Sequence, residues 1–130
     1  MSPRVLLRKA WIWGPLLAYL ALIYYFSSLS RIAWAEAYPD YVEHAAEYFG
    51  LALLTARAFN NGVLRRIPPG VLILAFFACV AYAISDELHQ MFVPDRFADY
   101  RDVLSDACGA GIALLLTHYG ARLWARGSAA

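Results

Sequence analysis

Residues 71–92 read VLILAFFACVAYAISDELHQMF. The first fourteen are apolar without interruption. With the residues that follow, the run reaches the roughly 20 that a membrane-crossing helix needs. A buried strand would end after about four to eight residues. The stretch then changes character, because Asp86, Glu87, His89 and Gln90 fall at its end. It reads as an apolar helix with a polar tip, and the rest of the chain repeats that design.

Working outward, Pro94 follows the stretch, and a further apolar segment runs from Val103 to about Ala121, with Asp106 near its start and His118 near its end. On the other side, Pro68, Pro69 and Gly70 separate it from the segment Tyr41 to Phe59, which holds Glu43, His44, Glu47 and Arg57. Alone, that segment reads as an amphipathic helix; between better spans it reads as another span. Asp40 stands where an N-cap belongs. Trp11 to Leu29 carries no charge and follows Arg4, Arg8 and Lys9. Its start resembles a signal peptide, but its apolar run exceeds the usual 7–15 residues or so, and we read it as a retained span.

Composition agrees. The chain is 62% hydrophobic and 16% charged, against about 45–50% and 25% in soluble domains. Intrinsic disorder is excluded on hydrophobicity. A net charge of +1 leaves no electrostatic footprint for nucleic acid. Cys79 and Cys108 are too few for a disulfide scaffold, and their helical depths are too different for a mutual bond. The length allows one domain. The expected architecture is all-α: an integral membrane bundle of four transmembrane helices, about 11–29, 41–59, 71–92 and 103–121, within a single domain over 1–130. Connections of about ten residues make neighbouring helices antiparallel.

Eight basic residues flank one side (Arg4, Arg8, Lys9, Arg57, Arg65, Arg66, Arg122, Arg126) and three the other (Arg31, Arg96, Arg101). The positive-inside rule places the first side, with both termini, in the cytoplasm. All ten carboxylates, from Glu36 and Asp40 to Asp102 and Asp106, then fall on the outer half. Trp11, Trp13, Tyr24, Tyr25, Trp34, Tyr38, Tyr41 and Trp124 sit near the proposed boundaries, as an aromatic belt would. Helical spacing groups the outer polar residues. His44 shares a face with Glu47 and Tyr48, Asp86 with Gln90, and Asp102 with Asp106. Asp86 and Glu87 are about 100° apart, so only one faces the bundle centre squarely. Ionisable groups inside a span are costly and default to a functional role. The alternative is a structural network in which Arg96 and Arg101 neutralise the acids and Gln90 bridges helices. Ser105, Gly109 and Ala113 form a strip of small residues suited to close helix packing.

These residues resemble a known family. The run SDELHQMFVPDR from Ser85 to Arg96, followed by DVLSDACG from Asp102 to Gly109, resembles the VanZ-like proteins. Their signature is an acidic pair, a glutamine, an aromatic and an arginine after a proline turn. An aspartate then begins the last helix, which contains a glycine. Glu43, His44 and Tyr48 match the acid, histidine and tyrosine of the family's second helix. The usual basic residue there is missing, and Asp106 stands in place of the usual asparagine. The resemblance covers about Trp11 to Leu116. It implies a small integral membrane protein of several helices.

The candidate catalytic groups are therefore Asp86, Glu87, Asp102 and Asp106. The candidate substrate-binding groups are His44, Tyr48, Gln90, Arg96 and Arg101. Carboxylates suit hard cations, and histidine with carboxylate suits zinc. No HExxH or CxxC motif fixes a metal, so the sequence leaves metal and cofactor open. Arginine forks suit phosphate. Three functions compete: binding or modifying a polar lipid or envelope precursor at the outer leaflet, a non-enzymatic accessory or binding role, and ion-coupled transport. The expected partners are membrane lipids, an anionic lipid or envelope precursor among them, with oligomerisation left open. Transport fits least, because no pair of broken helices is visible.

Overall fold

A computed structural model describes residues 2–30 and 40–127, with side chains over 2–30 and 41–120. Arg31, Trp34, Glu36 and Tyr38 lie outside the described residues, as do the side chains of Asp40, Arg122, Trp124 and Arg126. The chain is all-α: α1 (Pro3–Ser27), α2 (Asp40–Phe59), α3 (Pro69–Gln90) and α4 (Tyr100–Gly127). Strands are absent among the described residues.

Each helix occupies an expected segment, with ends that differ for identifiable reasons. α1 starts eight residues before Trp11, because Arg4, Arg8 and Lys9 are good helix formers and hydropathy registers only the apolar part. Pro3 opens α1 and Pro69 opens α3, both at the first helical turn, where a missing N–H costs nothing. The proline pair thus begins α3 as well as separating it from α2. α3 ends at Gln90, two residues short of Phe92, with Met91 as its cap. α4 starts at Tyr100 because Asp99 caps it: the Asp99 Oδ1 accepts from the Arg101 N–H at 2.9 Å.

α2 packs most extensively on α4, then α4 on α3 and α3 on α2; α1 lies against α2 and touches α3 lightly. Gly109 explains the leading contact. A β-carbon there would run into the backbone carbonyl of Ala45. Ala113 on the same strip is fully buried, and Ser105 Oγ donates to the Tyr41 carbonyl. The strip of small residues is therefore a helix-packing face.

α1 is pinned to α2 by polar contacts. Pro15 has no N–H, so the Trp11 carbonyl four residues earlier loses its helical partner. The Arg57 guanidinium supplies the donors instead: Nη1 and Nη2 each reach the Trp11 carbonyl at 3.1 Å, and Nη1 also reaches the Ile12 carbonyl at 3.2 Å. The same guanidinium lies 5.0 Å from the centre of the Trp11 ring, a cation–π contact. Tyr19 Oη donates to the Glu47 carbonyl, and Tyr82 Oη to the Leu20 carbonyl.

The core is built of small and medium residues, among them Ala52, Ala56, Ala75, Ala83 and Ala110, with Tyr48 and Leu51. Asp86, Glu87, Gln90 and Asp106 are buried with them. Large apolar side chains point outward instead, including Leu17, Ile73, Phe77, Leu104 and Leu116. Among the described residues, α1 and α3 are long and apolar enough to cross a membrane. α2 and α4 fall short of that test. α2 carries Glu43, His44, Glu47 and Arg57, and α4 carries Asp102, Asp106 and His118. Cys79 and Cys108 are free, as expected.

Candidate functional site

The N-terminal ends of α2 and α4 and the C-terminal end of α3 converge on one cluster. Its centre is His44. Nδ1 of His44 lies 3.0 Å from Asp106 Oδ1, and Nε2 lies 3.8 Å from Asp102 Oδ2. The two aspartates sit one helical turn apart on α4 and hold the imidazole between them, as their i,i+4 spacing requires. Asp106 is 1% exposed, so its carboxylate acts as a fixed buried acceptor.

Glu87 enters from α3. Its Oε2 accepts the backbone N–H of Asp99 at 2.9 Å, whereas Oε1 is buried and makes no hydrogen bond among the described residues. Asp99 therefore has two roles. Its side chain caps α4, and its N–H docks that cap onto α3. Asp86 turns toward Gln90, whose Nε2 donates to Asp86 Oδ2 at 3.2 Å across one turn. Both acids of the adjacent pair are buried, against the expectation that only one would face inward squarely. α3 packs against both α2 and α4, so residues 100° apart each find a protein neighbour.

Tyr48 joins the cluster from α2, one turn beyond His44. It is 1% exposed, its Oη makes no hydrogen bond among the described residues, and its ring lies 6.5 Å from that of Tyr82. Asp86, Asp106 and Glu47 all act electrostatically on its hydroxyl. Glu47 is the residue that the candidate set omits. It lies close enough to His44, Asp86 and Asp106 for their charges to interact. Its i,i+3 relation to His44 was the available signal, and one turn of α2 delivers both to the same place.

Two candidates stand apart. The Arg96 Nε donates to the Leu29 carbonyl at 3.2 Å, and Arg96 forms no ion pair among the described residues. It thus braces the end of α1 where charge arithmetic would have it neutralise the acids. Its guanidinium lies within reach of an orphan carbonyl past a helix end, a contact that charge counting does not weigh. The Arg101 side chain is exposed, and only its backbone N–H contacts Asp99. His89 also serves α1. Ser28 Oγ donates to the Tyr24 carbonyl and meets His89 Nε2 at 3.0 Å, while the imidazole stacks on Tyr24 with ring centres 4.6 Å apart.

The arrangement offers a hydrogen-bonded imidazole, carboxylates from two other helices and a buried hydroxyl. Such a set can move a proton or hold a cation. Asp86, Glu87 and Asp106 form no pair with lysine or arginine among the described residues; His44 is the basic group that meets Asp106.

Comparison with known proteins gives one positive finding. A family model described as VanZ/LLP1 matches residues 15–120. The matched region contains every residue of the cluster. No curated protein and no solved structure matches the chain.

Proposed function

This chain belongs to the VanZ/LLP1 family, and from that premise we propose that it is a four-span membrane protein whose acid-rich outer end binds or modifies the polar part of a lipid or cell-envelope precursor. The observation that carries this reading is the inverted bundle. Carboxylates and a glutamine are buried, with the His44 imidazole half-buried beside them, while large apolar side chains cover the outside. Soluble monomers rarely expose apolar surface on that scale. A bundle in lipid does so necessarily, and packs through small residues as α2 and α4 do. Among the polar residues that lower the hydropathy of α2 and α4, His44, Glu47, Asp102 and Asp106 belong to the cluster, so these four are compatible with both helices spanning.

The depth of the cluster favours a headgroup over an acyl chain. Phe92, Phe97 and Tyr100 are highly exposed around it, in the manner of interfacial anchors. Arg96, in the same loop, uses Nε internally and leaves its two terminal nitrogens for an anionic group. Both termini then lie in the cytoplasm, on the side of the basic majority.

The test is mass spectrometry of the purified protein for co-purifying lipid, comparing wild type with Glu87→Gln, Arg96→Lys and Asp102→Asn. Wild type should retain an anionic lipid. Arg96→Lys should lose most of it, because lysine keeps the charge but not the fork. Conversion lost with binding retained in Glu87→Gln or Asp102→Asn identifies an enzyme. Loss of both together identifies a binding protein. Equal lipid in all four proteins would sink the reading.

A further inference from the structure

We propose that His44, Glu87 and Asp102 form a binding site for a zinc-type divalent cation. The three donors come from three different helices, and one ligand atom of each lies within 4.8 Å of the others. Ligands at about 2.0–2.1 Å around a tetrahedral zinc lie roughly 3.3 Å apart. His44 Nε2 and Asp102 Oδ2 are already at 3.8 Å. Closing the remainder takes side-chain rotation of about an ångström.

Two independent features point to a ligand. The first is Glu87. It is 5% exposed, one carboxylate oxygen is fixed by the Asp99 N–H, and the other is buried with no hydrogen-bond partner among the described residues. Leaving such an oxygen unsatisfied is costly. A ligating carboxylate has this form, with one oxygen oriented by the protein and the other directed to the ion. The second is the placement of His44, with Nδ1 against Asp106 and Nε2 toward Asp102. A hydrogen bond from Nδ1–H to a carboxylate leaves Nε2 as a lone-pair donor, and metal-bound histidines are oriented in the same manner. Asp106 supplies that carboxylate at 3.0 Å. Asp106 thus gives His44 a carboxylate acceptor.

The ligand chemistry selects the ion. Mg²⁺ prefers oxygen ligands and retained water, whereas imidazole with carboxylates suits zinc. Two carboxylates match the dication's charge, and three protein ligands leave a fourth position open. This cation deepens the lipid reading, because an open position would take an oxygen of an anionic headgroup. The binding of the ion itself needs no lipid.

The full-length protein in detergent, stripped with a chelator and dialysed against Zn²⁺, should take up one ion per chain, with a rise in melting temperature as expected for a ligand of the folded state. Glu87→Gln and Asp102→Asn should each weaken uptake at least about 100-fold. Asp106→Asn should weaken it about 10–100-fold while keeping a saturable site, as loss of a group that orients a metal ligand does. Asp95→Asn, an exposed acid outside the cluster, should leave uptake unchanged. Absence of saturable uptake by wild type overturns the proposal, and needs no variant to fold. So does uptake that survives both ligand substitutions, or displacement of Zn²⁺ by an equal concentration of Mg²⁺. Lipid retained by a protein that takes up no zinc overturns the metal site and leaves the lipid reading standing. Zinc bound without lipid does the reverse.

Discussion

Arg57 is a charged side chain in the last turn of α2, and its position is explained by a residue on another helix. Pro15 deprives the Trp11 carbonyl of its intrahelical donor, and the Arg57 guanidinium takes that place. The coupling can be measured. Arg57→Ala should destabilise the protein in detergent by about 1.5–3 kcal/mol, the range for hydrogen bonds made by a charged donor. In a Pro15→Ala background the backbone N–H returns, and the same substitution should cost less. A double-mutant cycle on thermal or denaturant unfolding reads the difference. Equal costs in both backgrounds would show that Arg57 does something else. Positive-inside counting treated Arg57 as one of eight topological charges. Nothing in its immediate sequence shows that its partners lie 46 and 45 residues away. Arg96 carries the same lesson. The sequence offered it as an anion-binding residue or, alternatively, as a partner of the acids, whereas its Nε is held by the Leu29 carbonyl just past the end of α1.

At the scale of elements, the α2–α4 contact rests on the absence of a side chain at Gly109. Gly109→Ala should therefore lower stability by about 1–3 kcal/mol, the usual cost of overpacking. Gly120→Ala, on the same helix but with open space around it, should be neutral or slightly stabilising, because alanine is the better helix former. Melting temperatures of the two variants in one detergent make the comparison. The contact was legible in the spacing of Ser105, Gly109 and Ala113, since a four-residue repeat of small side chains has few other uses in an apolar helix. The helix ends were less legible. Hydropathy reports transfer between water and lipid, whereas a helix begins where its first N–H groups are satisfied or absent. Hence Pro3, Pro69 and Asp99 set three starts that the apolar runs placed two to eight residues late.

For the whole molecule, the proposed topology makes a plain expectation. In a Cys79→Ala, Cys108→Ala background, Ser2→Cys should react with an impermeant thiol reagent only after cells are opened. Asp95→Cys should react in intact cells. The opposite pattern would invert the molecule and put the cluster in the cytoplasm. The gathering of the cluster was legible because three pairs at helical spacing could meet only if their helices packed with the same ends together. Which groups would touch was not legible. The meeting of His44 with two aspartates depends on how closely α2 and α4 approach, and the docking of Glu87 depends on a backbone N–H, which every residue but proline possesses.

The repaired break in α1 has a consequence in time. A chain made from its N-terminus exposes the Trp11 carbonyl long before Arg57 exists. Until the second helix arrives, the first is an incomplete object, with an open acceptor in a ladder that lipid cannot satisfy. That acceptor lies near the helix's basic end, where water can serve it meanwhile. Synthesis of Arg57 then gives α1 a reason to wait for α2 and to dock with it. The helical pair, rather than the single helix, becomes the first unit with its backbone complete.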